Sequence, residues 1–221
     1  MTFTAKAILF DMDGVLIDSA PAVERVWRKW ALAHGLAPDA VIEQAHGRRS
    51  VETIRAVAPH VDAARENVNV EQMEIEDKKG VTALPGALEL LRKLPQERFA
   101  IVTSATTPLA VARLGYAGLT APRHLVTADD VLDGKPSPEP YLRGAALLRV
   151  APADCMVFED TPAGIASGHA AGMRVIGLGN TYSARDLYAA EAVAASLADL
   201  AVSVCDAEIV IEWKISPSRR N

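Results

Sequence analysis

The sequence of 221 residues has only two cysteines, no long apolar run and no excess of basic residues. Cys155 and Cys205 both lie in apolar surroundings, so the disulfide framework of a small secreted protein is excluded. No apolar run approaches the roughly 18 residues that a membrane span needs. The first residues lack the basic and apolar regions of a signal peptide. We therefore expect a soluble, cytoplasmic protein that makes no membrane contact.

Neither acidic nor basic residues are in large excess. The chain has 23 Lys and Arg against 28 Asp and Glu, which gives a net charge of −5, and no basic tail or stripe is present. Nucleic acid is therefore not an expected partner, because proteins that bind it concentrate basic residues on one face. Half of the residues are hydrophobic, which is sufficient for a packed core in a chain of this length.

The chain does contain a regular alternation of short apolar runs and helical patterns. The apolar runs predict buried strands, and the segments between them repeat their apolar residues at helical spacing. This alternation is typical of the α/β class, in which helices cover both faces of a parallel sheet. The predicted strands comprise residues 5–10, 99–103, 124–127, 155–158 and 174–178, and residues 208–213 alternate like an edge strand.

One stretch interrupts this alternation. Residues 17–83 show helical patterns without a convincing strand, and the Leu-Pro-Gly sequence at 84–86 marks the return to the alternating region. We predict an α/β core of residues 1–16 and 84–221, and an inserted all-helical domain, the cap, of residues 17–83. The composition of the last six residues predicts a disordered tail.

Carboxylates follow two of the predicted strands. Asp11 and Asp13 come directly after the first strand, and Glu159 and Asp160 follow the strand at 155–158. The carboxyl ends of parallel strands meet at one edge of the sheet, where ligands bind. Paired acids there suit a hard cation such as Mg²⁺, or a nucleophile working with an acid/base. Taken singly, each pair also fits an Asp-Gly turn or the start of a helix.

A hydroxyl and a lysine occupy corresponding places. Ser104 follows the strand at 99–103, where backbone N–H groups leading into a helix could hold an anionic oxygen. Lys135 is held between Gly134 and a proline-rich turn, where its ammonium could neutralise a phosphate. Helix capping and a surface loop would explain these two features separately. Four carboxylates, a hydroxyl and a lysine at one edge together favour a divalent cation and a transferring phosphoryl group.

These motifs resemble those of the haloacid dehalogenase-like phosphohydrolases. DMDGVLIDS, VTSAT, GKPSPEPYL and FEDTPAGI match the four family motifs in order, and the resemblance spans essentially the whole chain. AHGRRSVETIRAVAP is particularly similar to the sugar phosphatase and glycerol-phosphate phosphatase branch. The resemblance implies a Rossmann-like core with a helical cap. It also implies an Mg²⁺-dependent phosphatase that acts on a small phosphorylated sugar or polyol.

The resemblance further implies a role for each residue at the sheet edge. Asp11 would be the nucleophile that forms an aspartyl-phosphate, and Asp13 the general acid/base. Asp13 also argues against dehalogenation, because the haloalkanoate dehalogenases lack an Asp at that position. The phosphoryl oxygens would be held by Ser104, the Ala105 N–H and Lys135. The metal ligands would be Asp11, Asp13 through its backbone carbonyl, Asp160 and, through water, Glu159.

Substrate choice is expected to depend on the cap, because a closing cap contacts the part of the substrate that is not phosphate. The loop at residues 46–50 connects two predicted cap helices. By resemblance, Arg49 and then His46 are favoured as readers of substrate hydroxyls or of a second charge. Arg48 is expected to be a solvated loop residue. Trp27, at helical spacing from its apolar neighbours, is expected in the core of the cap.

Other functions stay open on the sequence alone. A β-phosphoglucomutase of the same superfamily would use the same core residues but must also bind a distal phosphate, for which Arg49 is the one strong candidate. A phospho-accepting receiver domain also uses an Asp, further acids, a hydroxyl and a lysine, but resembles a shorter unit without a cap. An inactive binding protein on this fold would be expected to lack one of the four motifs.

Overall fold

The structure, a computed structural model, describes residues 1–214, so the tail predicted at residues 216–221 lies outside the described residues. The strands are β1 (Thr2–Ala5), β2 (Ala7–Phe10), β3 (Ile17–Asp18), β4 (Thr82–Ala83), β5 (Phe99–Val102), β6 (Leu125–Val126), β7 (Cys155–Glu159), β8 (Arg174–Leu178), β9 (Ala192–Ala194), β10 (Leu200–Cys205) and β11 (Glu208–Trp213). The helices are α1 (Ala20–Ala33), α2 (Pro38–Ala45), α3 (Ser50–Val57), α4 (Ala63–Glu76), α5 (Ala87–Lys93), α6 (Thr107–Tyr116), α7 (Glu139–Leu148) and α8 (Pro162–Ala170).

A parallel sheet of six strands, in the order β6-β5-β2-β7-β8-β9, confirms the predicted α/β class. β2, β5 and β7 are buried along their whole length, which explains why each is a nearly continuous apolar run. Phe10, the last residue of β2, pairs with Ile101 on one side and Phe158 on the other. This register brings the carboxyl ends of the three central strands to the same edge.

Helices cover both faces of this sheet, as the sequence predicted. Successive side chains of a strand point to opposite faces. Ile8 therefore packs with residues of α5 and α6, and its neighbour Leu9 packs with residues of α7 and α8. Among residues 1–214, no helix is both long enough and apolar enough to cross a bilayer. The cytoplasmic location stays a prediction.

A small antiparallel sheet, in the order β1-β11-β10, was not foreseen. The single strand predicted over residues 5–10 is divided at Lys6, so that β1 pairs with β11 while β2 enters the main sheet. β11, predicted as an edge strand, is the middle strand of this small sheet. One of its partners, β10, is adjacent in sequence, but the other, β1, comes from the opposite end of the chain, with Thr2 opposite Glu212, and local patterning carries no signal for that pairing.

The cap contains helices α1 to α4 and leaves the core directly after β2. β3 and β4 pair antiparallel at its two ends, with Ile17 opposite Ala83, so these two short strands accompany the four predicted helices and the loops between them in residues 17–83. The cap helices share an apolar cluster that includes Trp27 and Trp30, whose rings meet edge to face at 5.5 Å. The division of the chain into two domains stays a prediction.

Candidate active site

The acids predicted from the sequence lie at the carboxyl edge of the main sheet. Asp11 follows β2 directly, and Glu159 is the last residue of the neighbouring strand β7. One carboxylate oxygen from each of Asp11, Glu159 and Asp160 lies within 4.8 Å of the others, and all three residues are buried. Carboxylates this close destabilise one another unless positive charge or hydrogen-bond donors compensate.

Lys135 supplies part of that compensation. Its Nζ donates to Asp11 Oδ1 at 2.5 Å, to Glu159 Oε1 at 2.6 Å and to the Val102 carbonyl at 3.2 Å. Burial alone would lower the pKa of Lys135, but the charges of Asp11 and Glu159 outweigh burial and raise that pKa. The structure therefore holds a charged ammonium against the predicted nucleophile.

The three carboxyl groups differ in how far positive charge and hydrogen bonds offset the effect of burial on their pKa values. Burial raises the pKa of Asp11 to about 7, although the ammonium of Lys135 opposes the change. Burial also raises the pKa of Asp160, and the negative charges of Glu159 and Asp11 add to this effect. Burial would raise the pKa of Glu159 too, but Lys135 and the surrounding hydrogen bonds lower it. Asp11 and Asp160 are therefore the two acids that further positive charge would stabilise most.

Both oxygens of Glu159 are occupied by hydrogen bonds. Oε1 accepts from Lys135 and, at 2.9 Å, from the Tyr141 hydroxyl. Oε2 accepts from the N–H groups of Asp160 at 2.9 Å and Thr161 at 3.0 Å, and from the Thr161 hydroxyl at 3.0 Å. Glu159 thus fixes Lys135 and the turn that carries Asp160. Its water-mediated contact to a metal stays a prediction.

Asp160, by contrast, has a carboxylate oxygen without a hydrogen-bond partner among the described residues. Its Oδ1 is buried and accepts no hydrogen bond from residues 1–214. Gly14, whose φ of 80° favours glycine, packs against the same carboxylate, and a Cβ at that position would lie 1.9 Å from Asp160 Oδ2. A hard cation prefers carboxylate oxygens as ligands. The orphaned oxygen beside Asp11 therefore fits a divalent cation such as Mg²⁺.

Asp13 lies outside this group of three carboxylates. Its Oδ2 accepts a hydrogen bond from Arg113 Nη1 at 2.8 Å, whereas its Oδ1 is buried without a hydrogen-bond partner among the described residues. Arg113 Nη2 also lies 3.3 Å from Glu74 Oε2 of α4. Burial raises the pKa of Glu74, and the charge of Arg113 opposes that rise. One oxygen of Asp13 is thus fixed and the other is left free.

Ser104 and Ala105, the predicted phosphate-binding residues after β5, line a cavity together with Asp11 and Asp13. The Ser104 hydroxyl donates to the Gly47 carbonyl of the cap at 3.1 Å. The Ala105 N–H donates to the Thr103 hydroxyl at 3.1 Å. Both donors lie at the site and each donates to a protein acceptor, and their binding of phosphoryl oxygens stays a prediction.

This cavity, about 360 Å³ in volume, is bounded by the sheet edge on one side and the cap on the other. His46 of the cap lines it, and partial burial lowers the pKa of His46. Arg48, expected to be a solvated loop residue, also lines the cavity. Arg49 is not among the residues that line this cavity. Its Nη1 donates to the Leu132 carbonyl at 2.8 Å, and its Nε lies 3.4 Å from Glu52 Oε1.

Four polar contributors were not singled out from the sequence. Tyr141 and Thr161 lie within the third and fourth motifs, so a signal for them was present. Arg113 and Glu74 carry a different signal, which is a charge on the apolar face of a helix. Arg113 follows Leu109 at a spacing of four residues on α6, where a charged side chain needs a partner. Such positions could be found by pattern alone, but their partners could not.

Comparison with known proteins places this site in a family. The family model for haloacid dehalogenase-like hydrolases matches residues 5–172. Hexitol phosphatase A of Escherichia coli (strain K12) is 49% identical over 176 residues, covering 77% of this chain and 82% of that protein. Glycerol-1-phosphate phosphohydrolase 2 of Saccharomyces cerevisiae is 37% identical, covering 82% of this chain and 78% of that protein. The crystal structure of a hydrolase from Pseudomonas syringae matches with a TM-score of 0.79 and 26% identity, over 87% of this chain and 94% of that chain.

Proposed function

This chain belongs to the haloacid dehalogenase-like hydrolases, and from this we propose that it is an Mg²⁺-dependent phosphatase of small phosphorylated sugars or polyols that works through an aspartyl-phosphate on Asp11. The observation that carries the proposal is the buried carboxylate of Asp11, with the Lys135 ammonium at 2.5 Å and Asp160 beside it. Hexitol phosphatase A and glycerol-1-phosphate phosphohydrolase 2 support polyol phosphates as the substrate class.

Asp11 begins the reaction as a nucleophile. One of its carboxylate oxygens attacks phosphorus in line with the ester oxygen, and the bond from phosphorus to that oxygen breaks. The dianionic substrate repels an anionic nucleophile, so fixed positive charge must offset the repulsion, and Lys135 is held in place for this. Ser104 and the Ala105 N–H bind the phosphoryl oxygens in place of their present acceptors, the Gly47 carbonyl and the Thr103 hydroxyl.

Asp13 acts as the general acid in the first step and as the general base in the second. The departing alkoxide is a poor leaving group, and Asp13 protonates it through Oδ1, the oxygen that accepts no hydrogen bond from residues 1–214. Asp13 then takes a proton from the water that attacks phosphorus and releases Asp11. General acid–base catalysis of this kind contributes about 10²–10⁴-fold.

The metal ligands follow from the donor set described above. The side chains of Asp11 and Asp160 would hold Mg²⁺, together with the Asp13 backbone carbonyl that the family motif implies and Glu159 through water. When bound, the ion supplies electrostatic stabilisation of the negative charge on the phosphoryl group.

The cap side of the cavity favours a hydroxyl-bearing substrate with one phosphate over a substrate with two. His46, Arg48 and Ser50 line this side. Of the two arginines that line the cavity within residues 1–214, Arg113 is engaged by Asp13 and Glu74, which leaves Arg48. A mutase must also hold a second phosphate, and among the described residues Arg48 is the one arginine on this side that could hold it, whereas His46 and Ser50 can hydrogen-bond to hydroxyls.

The test is phosphate release with Mg²⁺ across hexitol, deoxysugar, pentose and glycerol phosphates, with β-glucose-1-phosphate included. We expect release concentrated on one or a few of these esters. Asp11→Asn and excess EDTA serve as controls, and both should abolish release. Glucose-6-phosphate formed from β-glucose-1-phosphate with little release from any ester would instead identify a mutase.

A further inference from the structure

At the contact between cap helix α4 and core helix α6, a buried ion pair extends to a third charged group, the half-buried Asp13. Asp13 Oδ2 meets Arg113 Nη1 at 2.8 Å, and Arg113 Nη2 meets Glu74 Oε2 at 3.3 Å. The side chains of Arg113 and Glu74 are only 7% and 4% exposed. One turn along the same contact, the Tyr116 hydroxyl donates to the Ile75 carbonyl at 2.6 Å. The chain of charges therefore joins the cap to the core at Asp13.

The geometry fixes Arg113 from two sides. Its Nη1 donates a hydrogen bond to Asp13 Oδ2, and the ion pair of Nη2 with Glu74 Oε2 attracts the other side of the planar guanidinium, so the two carboxylates together restrain the orientation of its plane. With that plane fixed, the Nη1 donor holds Asp13 Oδ2, while Asp13 Oδ1 stays unpartnered among the described residues. Glu74 also offsets the charge of Arg113, so Asp13 does not face an uncompensated cation.

We propose that Arg113, held by Glu74 of the cap, is a positioning residue that aims Asp13 Oδ1 at the leaving oxygen of the substrate. This inference rests on the proposed role of Asp13 as the general acid. Since Glu74 belongs to the cap, the acid is aligned when α4 lies against α6. Neither arginine nor glutamate touches the reacting atoms, and both act through Asp13.

If Asp13 is displaced from the leaving oxygen, the dependence of kcat/KM on the leaving group should change in a specific way. A basic leaving group such as phenolate needs the proton more than 4-nitrophenolate does, because the nitro group already stabilises the negative charge. Loss of the acid therefore steepens the dependence of kcat/KM on the leaving group, whereas general damage to the site lowers all esters alike. The signature uses kcat/KM because that constant reports the steps through the first phosphoryl transfer.

The experiment measures kcat/KM for phenyl, 4-chlorophenyl and 4-nitrophenyl phosphate with Mg²⁺. For Arg113→Gln we expect a loss of about 10–100-fold on phenyl phosphate, part of the ~10²–10⁴ that general acid catalysis supplies, and a much smaller loss on 4-nitrophenyl phosphate. Arg113→Lys, which keeps the charge but not the planar fork, should also steepen the dependence. Glu74→Gln should steepen it less.

Tyr116→Phe is the matched control, because it removes a neighbouring contact between α4 and α6 without touching Asp13. Its leaving-group dependence should equal that of the unmodified enzyme. Equal losses on all three esters in the Arg113 variants would overturn the inference and make the arginine structural. Should Arg113→Gln fail to fold, Arg113→Lys and Glu74→Gln give the same readout.

Asp13→Asn separates this inference from the function on which it depends. If Asp13→Asn steepens the dependence and the Arg113 variants do not, the positioning role is wrong and the acid stands. If Asp13→Asn itself leaves the dependence unchanged, Asp13 is not the acid, and the proposed mechanism fails together with the inference.

Discussion

Gly164 offers a sharp test of how the site is built, because two physical effects predict opposite signs for its replacement by alanine. Gly164 lies in the first turn of α8, and alanine in place of glycine within a helix normally stabilises a protein by roughly 0.5–1 kcal/mol. In this structure, however, a Cβ on Gly164 would lie 1.8 Å from Glu159 Oε1 and 1.9 Å from Glu159 Cδ. The helix-propensity gain and the steric clash therefore compete directly.

The clash should win, because Glu159 cannot move aside without losing its partners. Its carboxylate accepts from Lys135, Tyr141, Thr161 and the Asp160 N–H. Breaking a buried ion pair such as that with Lys135 costs about 3–5 kcal/mol. Partial relaxation of α8 should reduce this figure, so we expect Gly164→Ala to lower the free energy of unfolding by about 2–4 kcal/mol.

Urea unfolding followed by circular dichroism measures the difference. Gly115→Ala is the matched control, since Gly115 is also helical and a Cβ there would meet nothing within 4 Å. That variant should be neutral or more stable by up to about 1 kcal/mol. Equal stability of the two variants would contradict this prediction, because it would mean that Glu159 is not held in place by its hydrogen bonds.

Further predictions concern the metal and the cap. Mg²⁺ should raise the Tm of the enzyme, because the ion relieves the repulsion between Asp11 and Asp160. At a hundredfold excess of Mg²⁺ over Kd, the gain in the free energy of unfolding should be about 2.7 kcal/mol. An unchanged Tm and full activity in EDTA would contradict the metal site. Gly14→Ala should weaken Mg²⁺ binding in a titration, since its Cβ would displace the Asp160 carboxylate; unaltered affinity would contradict this. Arg48→Ala should raise KM for a polyol phosphate more than for 4-nitrophenyl phosphate. The same comparison on Arg49→Ala tests the role predicted for Arg49. Equal effects on both substrates would show that the arginine concerned has a structural role.

Features of the fold that have a local physical cause are predictable from the sequence. β2 and β7 are covered on both faces, so each is a nearly continuous apolar run, and the acid that follows each run marks the end of a strand. Parallel pairing then brings Asp11 and Glu159 together without further information. The α/β class and the position of the carboxylates were predictable for this reason.

Features that depend on distant partners could not be predicted. The direction of a loop side chain is set by its tertiary neighbours, so nothing in the sequence shows that Arg48 lines the cavity while Arg49 contacts the Leu132 carbonyl. The charges of Arg113 and Glu74 on apolar helix faces signal a buried pair. Only the structure shows that Arg113 and Glu74 pair with each other and that Arg113 also contacts Asp13, which follows β2.

Trapping the covalent intermediate would identify the residue that attacks phosphorus. The enzyme would be mixed with Mg²⁺ and its best substrate from the ester panel, and then quenched in acid within the first turnover. Borohydride converts an aspartyl-phosphate to homoserine, which peptide mass spectrometry can locate. If Asp11 is the nucleophile, homoserine forms at position 11 and none forms in Asp11→Asn. Phosphate release within that turnover without homoserine at position 11, or with homoserine at another aspartate, would show that Asp11 is not the nucleophile.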